Sequence, residues 1–255
     1  VEDALVQVTR QGDVCVLTLN RPAKLNALST AVERDLGLAL SSEAVQTSGA
    51  VVLTGAGRAF SAGADVTEFG GRDPAAIVAY YRETGGVYER FAVLPQPTFA
   101  AIHGYCLGGA LELALAADFR IADQTAVFGF PEVSIGIPPS SGGTHRLVRL
   151  LGTARAKELA LLNARLDAEE ARSCGLVTEV VPAGGALTRA LELAAELAAL
   201  PRLAVAVTKQ AIDAMAESSR EAGLLVERLA YAALAQTDDA QAAVDAFADR
   251  RRLRG

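Results

Sequence analysis

The spacing of apolar and polar positions changes several times along this chain, and each change marks an element. Residues 4–10 and 14–20 alternate or run apolar on either side of Gln11-Gly12-Asp13, which predicts a β-hairpin. Thr30 followed by Glu33 has the spacing of a capping box and predicts a helix running to about Ser42. Ala50–Leu53, Thr98–Ile102, Phe119–Ile121 and Ala126–Phe128 are short strand-like runs. Asp73-Pro74 sets a capping side chain before a proline at the first helical position, so a helix is expected from there to about Val93. Gly108-Gly109 opens another helix. From about Thr144 the helical period dominates, with a capping box at Asp167 and Glu170, a stop at Gly175 and a brief strand at Leu176–Val181. From Ala186 onward the chain is Ala-rich and helical, and Pro201 marks a helix start.

Strands and helices thus alternate over residues 1–190, and helices alone fill 191–255. This pattern predicts an α/β core of repeated units followed by a helical region, although no internal sequence repeat is visible. An Ala- and Leu-rich helical tail on such a core is expected to pack on a neighbour, which implies oligomerisation.

Composition narrows the function. The 255 residues are 51% hydrophobic and carry a net charge of -6, a balance that suits a globular chain and argues against a general nucleic-acid binder. Cys15, Cys106 and Cys174 are scattered and odd in number, so they form no disulfide framework and fit a reducing compartment. With only His103 and His145, and neither CxxC nor HExxH, no metal site is expected. No apolar run reads as a membrane span and no leader is recognisable, so the expectation is a cytoplasmic protein without a membrane partner.

Three segments carry chemistry. The first, Gly57–Val66, is Gly-rich and follows a buried strand, so its backbone amides can approach a ligand closely. It lacks the spacing of a dinucleotide fold, and no P-loop occurs anywhere in the chain. In the second, Gly108-Gly109 enters a helix whose first turn holds Glu112. Helix N-termini have unpaired amides that stabilise a developing oxyanion, though an acidic residue there also merely compensates the helix dipole. In the third, Pro131 sets the approach of Glu132 ahead of a Gly/Pro/Ser-rich loop, where a solvent-facing carboxylate is the plain alternative. Taken together, a loop and a helix start supply two amides to a carbonyl oxygen. Two carboxylates in apolar surroundings supply an acid/base pair, because both cannot easily ionise in one cavity. A Ser-His-Asp arrangement is the weaker reading: no GxSxG elbow is present, His103 reads as structural and His145 as helix decoration.

At these residues the chain resembles the enoyl-CoA hydratase/isomerase family, the crotonases. The resemblance spans nearly the whole length, through RPAKLNALS from Arg21, GRAFSAGADV from Gly57, HGYCLGGALELALAADFRIAD from His103, FGFPEVSIGIPPSSGGTHRL from Phe128 and LDAEEARSCGLVTEVV from Leu166. It implies a ClpP/crotonase-like spiral of ββα units and a helical C-terminal region that builds homotrimers, often stacked into hexamers. It also implies an oxyanion hole at the Ala64 and Gly109 amides. Lys24, Leu25, Ala62, Asp65 and Val66 would lie along the coenzyme A and pantetheine path, largely through backbone groups. Glu112 would activate water and Glu132 would protonate the α-carbon, hydrating a 2-enoyl-CoA without a metal or redox cofactor, coenzyme A being part of the substrate. Other acyl-CoA reactions of the family (isomerisation, decarboxylation, hydrolysis) would share the amide pair, and a non-catalytic acyl-CoA binder would need neither carboxylate. Two departures stand out: Thr67 replaces a lysine common near the coenzyme phosphates, and Ser140-Ser141 stand where a glycine is common.

Overall fold

The computed structural model describes residues 4–68, 73–216 and 218–252. In chain order the elements are β1 (Val6–Gln11), β2 (Val14–Leu19), α1 (Thr30–Leu40), α2 (Glu43–Gln46), β3 (Ala50–Gly55), α3 (Pro74–Glu83), α4 (Val87–Ala92), β4 (Thr98–Ile102), β5 (Tyr105–Leu107), α5 (Gly109–Leu115), β6 (Phe119–Asp123), β7 (Val127–Gly129), α6 (Gly143–Leu161), β8 (Arg165–Asp167), α7 (Ala168–Ser173), β9 (Glu179–Val181), α8 (Ala186–Ala198), α9 (Arg202–Met215), α10 (Arg220–Leu234) and α11 (Asp238–Arg252).

The described strands form two sheets. One has the order β1-β2-β3-β4-β6-β9 and is parallel except for the β1–β2 hairpin; the other has the order β5-β7-β8. Buried parallel strands have apolar neighbours on both faces, so they read as continuous apolar runs rather than as alternation. Strand β3 is buried along its whole length. Val51 and Leu53 join Leu17, Ala100 and Ile102 in the main core, while Ala50 and Val52 join Phe99, Ala101 and Ile121 on the other face. That second face is closed by Ala186, Ala190 and Ala194 of α8. A spacing of four residues puts these alanines on one side of the helix, and their small side chains let it lie close to the sheet. A boundary drawn at residue 190 falls inside α8, so the compact core runs on to the end of that helix.

The ββα unit positions the site. β4 lies in the large sheet, the next strand β5 in the small one, and α5 comes after them; β6 and β7 divide between the sheets in the same way. β5 and β7 are parallel neighbours, with Leu107 opposite Gly129. The chain leaving β5 therefore reaches Glu112 beside the point where the chain leaving β7 reaches Glu132. Loop 61–65 is brought alongside by the bridge between Ser61 and Cys106.

Two local expectations need correction. The capping residue of α1 is Ser29, not Thr30: Ser29 is extended (φ -88, ψ 164) and its hydroxyl accepts from the Val32 amide. Glu33 therefore makes no capping box and turns inward instead, while Glu68 accepts from the Thr30 amide at 2.9 Å and hydroxyl at 2.7 Å. The helix begun at Asp73-Pro74 does not run unbroken to Val93. It ends at Glu83 and restarts at Val87, across the Gly85-Gly86 pair. Helix α6 carries a kink at Gly152, whose φ of 76 is left-handed. The Asp167–Glu170 capping box forms as expected.

Helices α9–α11 extend beyond the core. Lys209 ties α9 to the core through a 2.8 Å ion pair with Asp118, and Arg202 reaches Asp13 at 2.7 Å. Large apolar side chains nevertheless remain on the outside of this region, among them Leu203, Ile212, Leu225, Leu229 and Tyr231.

Candidate active site

Loop 21–28 and loop 55–65 are knitted together, and Asn26 does most of the joining. It is buried with a left-handed φ of 55, a conformation that asparagine tolerates better than most side chains. Its amide nitrogen donates to the carbonyls of Ala56 at 2.8 Å, Ala59 at 2.8 Å and Phe60 at 3.2 Å, and its oxygen accepts from the Arg21 amide at 2.9 Å. In this frame the Ala62 amide donates to Leu25, the Leu28 amide to Gly63 and the Asp65 amide to Leu28, each at 2.8–2.9 Å. Leu25, Ala62, Asp65 and Val66 thus lie on one continuous strip, with exposed Lys24 at its start. The Asp65 carboxylate faces Thr67 (2.6 Å) and Arg21 (2.7 Å), and these partners hold it below the usual carboxylate range. Sequence reasoning did not single out Asn26; the LN pair inside RPAKLNALS was the available signal.

The Ala64 and Gly109 amides come together. A β-carbon built on Gly109 would lie 3.5 Å from the Ala64 nitrogen, and one on Gly63 would lie 3.5 Å from the Gly109 nitrogen. Neighbouring amides are consumed elsewhere: Gly108 donates to Gly129 and Asp65 to Leu28. Neither Ala64 nor Gly109 donates to any group among the described residues. Gly109 is the first residue of α5, where no intrahelical acceptor exists. Gly108 before it has φ 55 and ψ -128, and a β-carbon there would lie 2.7 Å from Glu132 Oε1, so both backbone shape and carboxylate position demand glycine.

Both glutamates are buried, Glu112 at 4% exposure and Glu132 at 8%, which rules out a solvent-facing loop carboxylate at 132. Their partners differ. Glu112 Oε1 accepts from the Ser141 amide at 2.7 Å and the Gly143 amide at 2.8 Å. Burial pushes its pKa up, while the amides of Gly143, Ser141 and Ser140 and the Arg146 charge pull it down. Glu132 Oε2 is buried with no partner among the described residues. Burial raises the Glu132 pKa to about 7, and the nearby Glu112 charge pushes the same way. The net shift of Glu112 is upward as well, with its amide donors working against that rise, while Glu132 is the carboxyl set to hold a proton near neutral pH. Gly143, the first residue of α6, has a further duty: a β-carbon there would lie 2.6 Å from Glu112 Oε1.

The histidines stand apart from this chemistry. His103 Nε2 lies 3.1 Å from the Gly57 carbonyl, and His145 Nε2 lies 3.4 Å from Arg149 on the exposed side of α6. A cavity of about 940 Å³ also lies elsewhere, among α4, α6 and α9, lined by residues such as Val93, Leu150, Val205, Ile212 and Arg149. The arrangement at 64, 109, 112 and 132 can polarise a carbonyl oxygen with two amides and manage protons on a nearby water.

Residues 9–254 match the family model described as enoyl-CoA hydratase/isomerase. A 2,3-dehydroadipyl-CoA hydratase of Escherichia coli (strain K12) is 40% identical over 245 residues, covering 96% of this chain and 95% of that protein. A short-chain-enoyl-CoA hydratase of Clostridium acetobutylicum is 35% identical over 256 residues, covering 98% and 97%. Among solved structures, an enoyl-CoA hydratase from Bacillus anthracis superposes with a TM-score of 0.90 at 36% identity, covering 96% of both chains.

Proposed function

The chain belongs to the enoyl-CoA hydratase/isomerase family, and from that premise we propose that it is a hydro-lyase adding water across the 2,3 double bond of a 2-enoyl-CoA to give a 3-hydroxyacyl-CoA. The observation that carries this reading is the unequal pair of buried glutamates beside two undonated amides. Isomerisation, decarboxylation and hydrolysis of an acyl-CoA would use the same amides, so those alone do not discriminate. Two buried carboxylates with unequal surroundings, one to take a proton from water and one to give a proton to carbon, suit hydration.

In the proposed reaction the thioester oxygen accepts from the Ala64 and Gly109 amides, which draw electron density from the conjugated double bond. Glu112, ionised, takes a proton from the water as its oxygen bonds to the β-carbon. The π electrons shift through the α-carbon to the thioester oxygen, giving an enolate held by the two amides. Glu132, protonated, delivers its proton to the α-carbon, the enolate collapses and the carbonyl reforms. One proton then passes from Glu112 back to Glu132 to restore the pair. Water and protons are the only co-reactants, so the scheme calls for no metal or redox group. In the same reading coenzyme A extends along the strip from Lys24 and Leu25 to Ala62, Asp65 and Val66. Thr67 is engaged with Asp65, and exposed Lys24 and Arg58 are cations carried by the two joined loops.

The test is direct. Addition of the protein to crotonyl-CoA should bleach the ultraviolet band of the conjugated thioester, and mass spectrometry should find a product heavier by one water. Turnover of a 3-enoyl-CoA without any hydration would replace this reading with the isomerase. The substrate in the name of the Escherichia coli relative makes 2,3-dehydroadipyl-CoA the first addition to a chain-length series.

A further inference from the structure

One buried polar group at the site has no part in the proposed hydration. Tyr88, on α4, is 3% exposed, and its hydroxyl lies 3.3 Å from where a Gly109 β-carbon would be. That same point is 3.5 Å from the Ala64 nitrogen. The phenol therefore borders the small volume shared by the two undonated amides. Glu112 is near enough for its charge to act on the phenol, which burial and Glu33 keep protonated and hence able to donate. The hydroxyl donates to Glu33 Oε1 over 3.1 Å. Glu33 is 3% exposed and is held more closely by Tyr80, whose hydroxyl lies 2.7 and 2.6 Å from its two oxygens. The Tyr88 bond is thus the longer and more replaceable of these contacts, and Glu33 keeps Tyr80 when it is given up.

We propose that Tyr88 is a third donor to the thioester oxygen: on substrate binding its hydroxyl exchanges the Glu33 carboxylate for the carbonyl oxygen held between Ala64 and Gly109. The exchange breaks one hydrogen bond and makes another, with no net proton transfer. The new bond forms on binding and strengthens as negative charge develops on that oxygen, so most of its contribution falls in the transition state. Glu33 and Tyr80 are the positioning residues, because they fix the ring through its hydroxyl. The proposal rests on the reading of the Ala64 and Gly109 amides as the thioester site.

The test compares wild type with Tyr88→Phe, which keeps the ring and removes only the hydroxyl. Butyryl-CoA labelled with ¹³C at the thioester carbonyl is bound to each, and the carbonyl stretch is read by infrared difference spectroscopy. The band should move to lower frequency on binding wild type and move less on binding the variant. In parallel, kcat on crotonyl-CoA should fall about tenfold, the size of one hydrogen bond, with a smaller change in KM. Equal carbonyl shifts in both proteins would overturn the proposal, since a merely structural tyrosine leaves the bound carbonyl's polarisation alone. Should the variant fail to fold, a crystal structure of wild type with butyryl-CoA decides: the Tyr88 hydroxyl within hydrogen-bond distance of the thioester oxygen supports it, and the hydroxyl still on Glu33 refutes it. An unshifted carbonyl in wild type would instead remove the amide-pair reading on which the proposal stands.

Discussion

At the scale of single residues, the proposed chemistry rests on the unequal surroundings of two like side chains. Glu112 has two amide donors, and Glu132 has an oxygen with none among the described residues. Glu112→Gln and Glu132→Gln should therefore each lower kcat by roughly 10²–10⁴ while acyl-CoA still binds, as expected on losing a positioned acid or base. Stopped-flow turnover and a separate binding titration distinguish the two effects. The raised Glu132 pKa also sets a sign. A carboxyl at about 7 when folded and near its ordinary value when unfolded holds more protons in the folded state between those limits, so its contribution to stability falls as pH rises through them. Relative to wild type, the melting temperature of Glu132→Gln should therefore improve from pH 5 to pH 8. In wild type kcat/KM should decline above about pH 7 as the proton donor ionises. Flat difference curves in both measurements would contradict the assignment of the proton to Glu132.

At the scale of elements, the site is made by where strands stop. β5 and β7 end side by side, and the segment after each strand carries a glutamate; the bridge from Ser61 to Cys106 adds the loop bearing Ala64. The start of α5 permits a sharp experiment. Proline is tolerated at the first position of a helix because that amide has no helical partner, so Gly109→Pro removes the proposed donor with little insult to the helix itself. Turnover should drop by about 10²–10³, the range seen on losing one oxyanion donor. Circular dichroism should confirm that the fold survives, and unchanged activity in a folded variant would eliminate this amide as a donor. Periodicity read the buried strands and the Asp167 capping box correctly because those depend on neighbours in sequence. It misplaced the start of α1 by one residue because Ser29 and Thr30 are both capping residue types; Ser29 takes the cap, while Glu33 turns to Tyr80 and Tyr88, residues some fifty positions away.

At the scale of the whole molecule, the core closes with α8, and the helices beyond it present apolar side chains outward. Ile212 is 64% exposed, Leu229 61% and Tyr231 76%, more than a settled single chain is expected to leave in one region. Burial in a homotrimer or a hexamer of two trimers is the expected resolution. Light scattering on the purified protein should return three or six times the 26.4 kDa chain mass. Replacing Ile212 and Leu229 together by aspartate should lower that mass, since burying a charge against apolar neighbours is unfavourable. A monomer at micromolar concentration would overturn the expectation. No described helix is long and apolar enough to cross a membrane.

The sequence by itself determined the alternation of strands and helices, the glycines where backbone must approach backbone, and the identity of both carboxylates. All of these depend on local geometry and on what a residue type can do. It left open whether Glu112 only balances a helix end and whether Glu132 only faces water. Tertiary structure removed the second alternative by burying Glu132, and it buried Glu112 against the Ser141 and Gly143 amides. It alone also revealed Asn26 as the clamp between two loops and Tyr88 beside the amide pair. The reason is physical: protonation state and hydrogen-bond partnership depend on groups distant in the chain, and only folding brings those groups within reach.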